Sequence, residues 1–333
     1  MWAAASGLFA LVATAPLATP GLAAPAATCF GERATVTVIG TAPFIGGPGD
    51  EVIVGDSANN TIDGGGGNDL ICGLAGNDGL SGGLGNDKID GGEGNDRIRG
   101  DVFNPSGAAV GGNDDYIDGG GGDDIMVGDS VGATAAGGGD DRMFGGDGND
   151  VMIGDSNALT GDAAGAGDDE LSGGRGRDFL IGDSNAGAGN ASGSGGDDIL
   201  DMGADGGSLA IGDHNTNTTG SMATGAGDDK ILGGSSDELL IGDSAADNVT
   251  EAGDDKIEGG PGNDRLFGDN VNAVGAVTTI GTVGGDDQLE GDPGDDALFG
   301  GPANDSLEGG ANTDSCDGED GSDTFAKCEA VTG

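Results

Sequence analysis

Residues 73–99 read GLAGNDGLS GGLGNDKID GGEGNDRIR, three nine-residue units in direct succession. Each unit opens with Gly, has Asp at its sixth position and has Leu or Ile at its eighth. Glycine permits the positive φ angles of tight turns, whereas the residues around the apolar eighth position suit a short strand. The unit therefore predicts a turn followed by a strand of about three residues, whose central side chain points inward.

The composition is acidic and rich in glycine. The 333 residues include 78 Gly and 60 Asp or Glu, but only 11 Lys or Arg, which gives a formal net charge of −49. Such a chain repels nucleic acids and anionic lipids, so we expect neither as a partner. The composition fits either a disordered acidic polymer or a chain whose carboxylates are neutralised by bound cations. The regular spacing of glycine favours the second.

The nine-residue pattern is G-G-x-G-x-D-x-U-x, in which U is a large apolar residue, and about twenty copies follow one another in register. On these residues the chain resembles the RTX, or haemolysin-type calcium-binding repeat, family along roughly 280 residues. The resemblance implies an all-β fold, a right-handed parallel β-roll of about 11–12 coils with two units per coil. It also implies that Ca²⁺ ions lie between turns stacked one coil apart.

The expected interior is a single column of eighth-position side chains. So thin a core cannot by itself balance the repulsion between the carboxylates, and calcium is expected to supply the balance. The column comprises Ile53, Ile71, Leu80, Ile89, Ile98, Ile117, Met126, Met143, Met152, Leu171, Leu180, Leu200, Ile231, Leu240, Ile257, Leu266, Leu289, Leu298 and Leu307.

The sixth-position aspartates are the predicted calcium ligands, because a carboxylate supplies the hard oxygen that Ca²⁺ prefers. Four turns depart from the pattern, with Glu51, Glu238, Asn60 and Ser208 in place of Asp, and some sites are expected to fail there. Roughly 10–16 bound ions are expected. The predicted ligands are Asp69, Asp78, Asp87, Asp96, Asp115, Asp124, Asp141, Asp150, Asp169, Asp178, Asp198, Asp229, Asp255, Asp264, Asp287, Asp296 and Asp305.

Seven units are much longer than nine residues, and they begin at residues 100, 128, 154, 182, 212, 242 and 268. Each opens with Gly-Asp, most often Gly-Asp-Ser, and regains the register at an acidic pair such as Asp140-Asp141. The long units alternate strictly with short ones, so seven long loops are predicted on one edge of the roll. The extra Asp at their second position could add a calcium ligand or cap the turn.

The outward positions differ between the two sheets. The seventh and ninth residues of the short units are mostly apolar, as at Phe179 and Ile181, whereas those of the long units are mostly polar, as at Glu170 and Ser172. One sheet is thus predicted to have an apolar outer face. Either the long loops cover this face, or it binds a protein, the cell wall or a second copy of the chain.

Four cysteines lie near the ends of the repeats. An even number in an exported chain suggests disulfides, and of the three pairings the local one, Cys29 with Cys72 and Cys316 with Cys328, fits best. The tail around Cys316 and Cys328 resembles the end cap of secreted actinobacterial members of the family. Such closures would protect the exposed end coils.

Signals for catalysis are missing. His214 is the one histidine, so neither an H-E-x-x-H zinc site nor a Ser-His-Asp triad is expected away from it. It lies within a long loop, and we expect it to be solvated. The glycine-rich turns lack the Gly-Lys-Ser/Thr of a phosphate-binding loop. The protein is therefore predicted not to be an enzyme.

The chain is predicted to divide into a signal peptide (1–26), an N-terminal cap (27–45), the β-roll (46–326) and a C-terminal cap or tail (327–333). Prolines interrupt the apolar part of the signal peptide, so membrane insertion is not expected. These features predict a secreted calcium-binding protein with a structural, adhesive or interaction role. The alternative is an RTX export and folding module related to type I secreted toxins or hydrolases.

Overall fold

The computed structural model describes residues 27–272 and 278–333, and over those residues it contains strands and turns but no helix. The predicted signal peptide, residues 1–26, lies outside the described residues. Two parallel sheets of 13 strands each face one another. The chain passes from one sheet to the other at every turn, which confirms the predicted parallel β-roll.

Each strand pairs in register with the strand one coil away. In the sheet that we call sheet 1, Met126 pairs with Ile98 on one side and with Met152 on the other. Sheet 1 consists of Phe44–Ile45, Thr61–Gly66, Gly79–Leu84, Arg97–Arg99, Ile125–Val127, Val151–Ile153, Phe179–Ile181, Leu209–Ile211, Leu239–Ile241, Arg265–Phe267, Ala297–Phe299, Ser315–Asp317 and Ala330–Thr332.

The opposite sheet, sheet 2, repeats the arrangement, with Ile117 between Ile89 and Met143. Both sheets begin before residue 46, and sheet 1 continues past residue 326, so pairing extends beyond the predicted limits of the roll. Sheet 2 consists of Val36–Thr37, Val52–Val54, Leu70–Cys72, Lys88–Glu93, Tyr116–Gly121, Arg142–Asp147, Glu170–Arg175, Ile199–Asp201, Lys230–Leu232, Lys256–Glu258, Gln288–Glu290, Ser306–Glu308 and Thr324–Ala326.

The core between the sheets is the predicted column, and every predicted interior side chain is at most 1% exposed. Sequence reasoning missed several members of the column, among them Ile62, Met202 and Ala210. Ala210 takes the eighth position opposite Leu180, where a large side chain is usual. Met202, an extra residue just after a strand, is fully buried in the same core. Met202 and Ala210 belong to the same core cluster.

All seven long loops leave the ends of sheet 1 strands and enter sheet 2, as the alternation predicted. They lie on one edge of the roll, here called the insertion edge. The other edge, where the chain returns from sheet 2 to sheet 1, is called the bare edge.

The first five of the seven long loops form a third parallel sheet, which the sequence analysis did not predict. Val131–Ala136 pairs with Phe103–Val110 on one side, and its two halves pair with separate strands of the next loop on the other. Asparagine side chains add a ladder, because Asn185 Nδ2 donates to Asn157 Oδ1 over 2.9 Å. The strands are Phe103–Val110, Val131–Ala136, Asn157–Ala158, Ala163–Ala164, Asn185–Ala186, Ala191–Ser192, Asn215–Thr216 and Ala223–Thr224.

The long loops cover half of the apolar face of sheet 1. The ninth-position residues, such as Ile153 and Ile181, are buried and pack with Val131, Ala245 and Val271 from the loops. The seventh-position residues stay partly open; Ile125 is 39% exposed. The prediction that the loops fold over the face is thus confirmed for one of its two columns of side chains.

Both ends of the roll carry a disulfide, and both pairings are those predicted. Cys29–Cys72 ties the hairpin formed by Thr28–Cys29 and Glu32–Arg33 to sheet 2, with 5.7 Å between the Cα atoms. Cys316–Cys328 ties the tail to the last coils, with 6.0 Å between the Cα atoms. No free cysteine is found in the described part of the chain.

Candidate metal centres

The nine-residue turn brings its sixth residue back toward the axis of the roll. In the turn that starts at Gly64, φ is +97° at Gly65 and +111° at Gly67, which is the left-handed region that favours glycine. The turn then ends at Asp69, which is fully buried directly before a strand of sheet 2. The glycine pattern thus positions one carboxylate per turn inside the edge of the roll.

The sixth-position aspartates stack into one ladder along each edge. One carboxylate oxygen, Oδ1, accepts a hydrogen bond from the backbone N–H of the sixth residue one coil earlier. Asp87 Oδ1 accepts from Asp69 over 2.6 Å on the insertion edge, and Asp124 Oδ1 accepts from Asp96 over 2.7 Å on the bare edge. Half of each carboxylate is therefore used to join successive coils.

The other oxygen, Oδ2, has no hydrogen-bond partner at any predicted ligand, although all of these side chains are buried. An unpaired buried carboxylate oxygen is costly unless a cation or a proton compensates it. On the bare edge these residues are Asp78, Asp96, Asp124, Asp150, Asp178, Asp264 and Asp296. On the insertion edge they are Asp69, Asp87, Asp115, Asp141, Asp169, Asp198, Asp229, Asp255, Asp287 and Asp305.

The unpaired oxygens converge with backbone carbonyls of the next coil. A Cβ atom added to Gly119 would lie 2.6 Å from Asp124 Oδ2 and 2.7 Å from the carbonyl oxygen of Gly145, closer than real Cβ contacts allow. The first position must therefore be Gly, because both oxygens point toward it. A carboxylate and a carbonyl from neighbouring coils form the kind of all-oxygen environment that suits Ca²⁺.

Side chains alone do not complete a site. Within residues 27–272 and 278–333, no group of three or more His, Cys, Asp or Glu side chains is close enough to hold a metal ion. A bound ion would need backbone carbonyls for the remainder of its ligands, which is common for Ca²⁺ and uncommon for Zn²⁺.

Burial disfavours the charged form of these carboxylates. It raises the pKa of Asp150 to about 6 and of Asp124 to about 7 on the bare edge. On the insertion edge it raises the pKa of Asp115 to about 10, and the nearby carboxylates of Asp101 and Asp87 add to the effect. Without a cation, many of these groups would retain a proton at neutral pH.

Basic side chains do not neutralise the ladders. The lysine and arginine ion pairs found in the described residues, such as Arg142–Glu170 at 2.7 Å and Arg175–Asp147 at 3.2 Å, lie at the surface. None of them involves a sixth-position aspartate.

The turns that depart from the pattern satisfy their own polar atoms. Glu238 Oε2 accepts from the N–H of Gly234 over 3.0 Å, and Oε1 accepts from Gly207 over 3.1 Å. The side-chain amide of Asn60 donates to the carbonyl of Gly40 and accepts from Asp56. No unpaired buried oxygen is found at either residue. The geometry suited to a cation thus occurs where the sixth residue is Asp.

Two further acidic residues complete the bare-edge ladder, and the sequence analysis did not select them. Asp314 is buried with an unpaired Oδ2, like the predicted ligands. Its N–H donates to Glu329 Oε2 over 2.8 Å, so the glutamate replaces the aspartate that another coil would supply. Asp314 obeys the nine-residue pattern and was detectable; Glu329 lies beyond the last repeat.

The expectation that His214 is solvated is wrong, because its side chain is completely buried. It replaces serine in a stack of third-position residues, where its Nδ1 accepts from the N–H of Ser184 over 3.3 Å. Its Nε2 lies 3.0 Å from the carbonyl oxygen of Thr224, to which it donates in this tautomer. Burial lowers the pKa of His214 to about 4, so the ring is neutral at pH 7.

Comparison with protein families agrees with this geometry. The family described as the RTX calcium-binding nonapeptide repeat (4 copies) matches residues 45–80, 80–104, 109–130, 135–158, 163–188, 218–249, 249–272, 283–307 and 290–325. The chain belongs to the RTX calcium-binding nonapeptide repeat family. It is thus a calcium-binding repeat protein, and the ladders are the part of the fold that the family pattern specifies.

The comparison with curated proteins finds no match. Over residues 27–272 and 278–333, no helix is long and apolar enough to cross a membrane.

Proposed function

We propose that this RTX protein is an extracellular, non-catalytic calcium-binding protein that folds on binding many Ca²⁺ ions and has a structural or adhesive role. The observation that carries the proposal is the buried, unpaired Oδ2 of every predicted ligand, which at most of them lies beside a carbonyl of the next coil. The sixth-position aspartates bind the ions, and the first-position glycines leave room for them.

Bound calcium would act as the link between successive coils. The aspartate ladders hold many buried negative charges with no basic partner, and the interior is one side chain thick. Each ion would offset repulsion between coils and join two turns, so that folding and ion binding are coupled. At saturation we expect roughly 10–16 ions.

The extracellular part of the proposal is supported by the two disulfides, which persist in oxidising compartments. Extracellular calcium modules commonly bind with dissociation constants of about 0.1–1 mM. A chain that folds only at such concentrations would stay unfolded inside the cell and fold after export.

A structural or adhesive role needs a surface for partners. On sheet 1 the long loops leave a stripe of partly exposed seventh-position side chains, including Ile125, Phe179 and Leu239. Such a stripe suits contact with another protein, the cell wall or a second copy of the chain.

Counting bound ions tests the proposal directly. The full chain, dialysed against about 1 mM CaCl₂ and then against EGTA, is analysed by native mass spectrometry and elemental analysis. We expect roughly 10–16 Ca²⁺ ions per chain before chelation and none afterwards. Fewer than about five ions would contradict a roll whose coils are joined by calcium.

The export route separates this proposal from the alternative of an RTX module secreted by a type I system. A mature N-terminus near Ala27, found by sequencing the exported protein, supports a cleaved signal peptide. An intact N-terminus would favour the export module.

A further inference from the structure

A second column of aspartates runs along the insertion edge. These residues occupy the second position of the seven long units, directly after the glycine that follows each sheet 1 strand. Each of them is fully buried. The column consists of Asp101, Asp129, Asp155, Asp183, Asp213, Asp243 and Asp269.

Backbone hydrogen bonds show that these residues stack coil on coil. The N–H of Asp101 donates to the carbonyl of Asp129, and the N–H of Asp129 donates to that of Asp155, each over 3.3 Å. Asp183 and Asp213 are joined in the same way. The carboxylates are thus repeated at the spacing of the coils and not scattered among the loops.

Most of these carboxylates lack partners. Neither oxygen accepts a hydrogen bond at Asp101, Asp129, Asp155 or Asp183, and Oδ2 accepts none at Asp213 or Asp269. Within the described part of the chain, the one basic group near these carboxylates is the neutral ring of His214, whose Nδ1 lies 3.5 Å from Asp183 Oδ2. A residue that only capped its turn would have its oxygens occupied by backbone N–H groups. Turn capping does not account for fully buried carboxylates with two free oxygens.

Asp243 is the one residue of this column whose two carboxylate oxygens both accept hydrogen bonds. Its Oδ1 accepts from the N–H of Gly253 over 2.8 Å, and its Oδ2 accepts from Asn270 Nδ2 over 3.0 Å. Asn270 supplies the extra donor from the third position, where the other loops have Ser, His or, in the first loop, Val. The same backbone position therefore occurs with and without a free carboxylate.

The second column lies beside the sixth-position ladder. Gly128, the residue directly before Asp129, has the Oδ2 atom of the sixth-position Asp141 and the carbonyl oxygen of Gly154 at the place where a Cβ atom would lie. The Cβ of a residue replacing Gly137 would lie 2.9 Å from Asp129 Oδ2 and would overlap the carbonyl oxygen of Gly111. A second-position carboxylate and a carbonyl thus face one narrow space, and a sixth-position carboxylate lies against the residue directly before Asp129.

We propose that Asp101, Asp129, Asp155, Asp183, Asp213 and Asp269 are calcium ligands specific to the long loops, so that the insertion edge binds Ca²⁺ with two carboxylates per coil. This inference rests on the proposed function, because it assigns further ligands within the same roll. Sites with more carboxylates bind Ca²⁺ more tightly. The insertion edge would therefore fill first and empty last, and the long loops would fold together with it.

Asparagine substitutions test this inference. The double variant Asp155→Asn/Asp183→Asn preserves the shape of both side chains and one acceptor oxygen on each. We expect it to lose one or two bound Ca²⁺ ions and the slowest phase of calcium release to EGTA to become about tenfold faster. Asp243→Asn is the matched control at the same position, and it should keep the wild-type ion count.

A third variant separates failure of this inference from failure of the proposed function. Asp150→Asn removes a sixth-position carboxylate from the bare edge and should lose one ion in either case. A wild-type ion count and release rate in Asp155→Asn/Asp183→Asn, with a loss in Asp150→Asn, would overturn the inference alone. Wild-type counts in both would overturn the proposed function as well.

A variant that folds poorly still gives an answer. Loss of a ligand weakens calcium binding, so raising CaCl₂ should restore the β-rich circular dichroism spectrum of Asp155→Asn/Asp183→Asn. A defect that no calcium concentration restores would indicate a packing role and would count against the inference.

Discussion

Asp and Glu differ by one methylene group, and at the sixth position of a turn this difference changes the hydrogen bonds of the carboxylate. Glu238 reaches the N–H groups of its own turn, whereas Asp264, one coil further on, leaves Oδ2 unpaired. The period of nine residues predicted where the carboxylates lie. It did not predict which oxygens lack partners, because that depends on the side-chain length and on the neighbouring coil.

Replacing Glu238 by Asp should create a site. The shorter side chain cannot reach Gly234, and its free oxygen would face the carbonyl of Gly259, which already borders Gly233. We expect Glu238→Asp to bind one more Ca²⁺ ion than wild type in native mass spectrometry. Glu238→Gln is the control and should gain no ion. An unchanged ion count in Glu238→Asp would show that the length of the side chain does not decide whether this turn binds Ca²⁺.

Low pH should partly substitute for calcium in stabilising the folded chain, because protonation also removes the charge of the buried carboxylates. Burial raises the pKa of Asp150 to about 6 and of Asp124 to about 7 in the folded chain, above the ordinary value of 3.8. A carboxyl whose pKa is higher in the folded state destabilises folding fully above that pKa and not at all well below the unfolded value. In EGTA, lowering the pH from about 8 to about 5 should therefore increase the β signal in circular dichroism. A spectrum that stays unfolded throughout this range would contradict the assignment of buried, unpaired carboxylates.

At the scale of elements, the repeat pattern predicted the strands of the roll but not those of the long loops. The roll strands follow a nine-residue period of apolar residues, and this period predicts strands from the sequence. The loop strands, such as Asn157–Ala158 and Ala163–Ala164, are two residues long and consist of small or polar residues. They pair only because the loops stack at the spacing that the roll imposes. The repeated GDSNA at 154–158 and 182–186 was the one available sign.

The long loops should stabilise the middle of the roll through the ninth-position side chains. Ile181 is fully buried under them, so Ile181→Ser should cost about 2–5 kcal/mol, the usual range for truncating a buried Ile. Ile125 has the same side chain on the same face but is 39% exposed, and Ile125→Ser should cost about 1 kcal/mol or less. Hydrogen exchange at saturating calcium measures both.

The same variant also tests whether the ninth-position column of sheet 1 is instead a docking surface. If Ile181→Ser kept wild-type protection from exchange but lost self-association in sedimentation, the ninth-position column would be a docking surface and not a covered core.

At the scale of the whole molecule, local replacements can compensate one another without changing the fold. Met202 adds a large side chain to the core cluster that contains the small Ala210, and buried His214 substitutes for a stacked serine. Neither was predictable, because each depends on a neighbour in space that the sequence alone does not identify. The two disulfides were predictable from the position of the cysteines near the ends of the repeats. They close the first and last coils, each of which has a neighbouring coil on one side only.

The net charge of the whole chain requires that bound cations stabilise the fold. A formal net charge of −49 is confined to a roll with one column of apolar side chains inside. Self-repulsion of this size opposes a compact state unless cations reduce it. Calcium should therefore control folding of the entire roll and not only order its turns.

Circular dichroism and small-angle X-ray scattering of the full chain, with its disulfides intact, test this claim most directly. In about 1 mM CaCl₂ we expect a β-rich spectrum and the scattering of a compact rod; in excess EGTA we expect an expanded coil that refolds when calcium returns. A β spectrum and a scattering profile that stay unchanged after complete chelation would contradict the account.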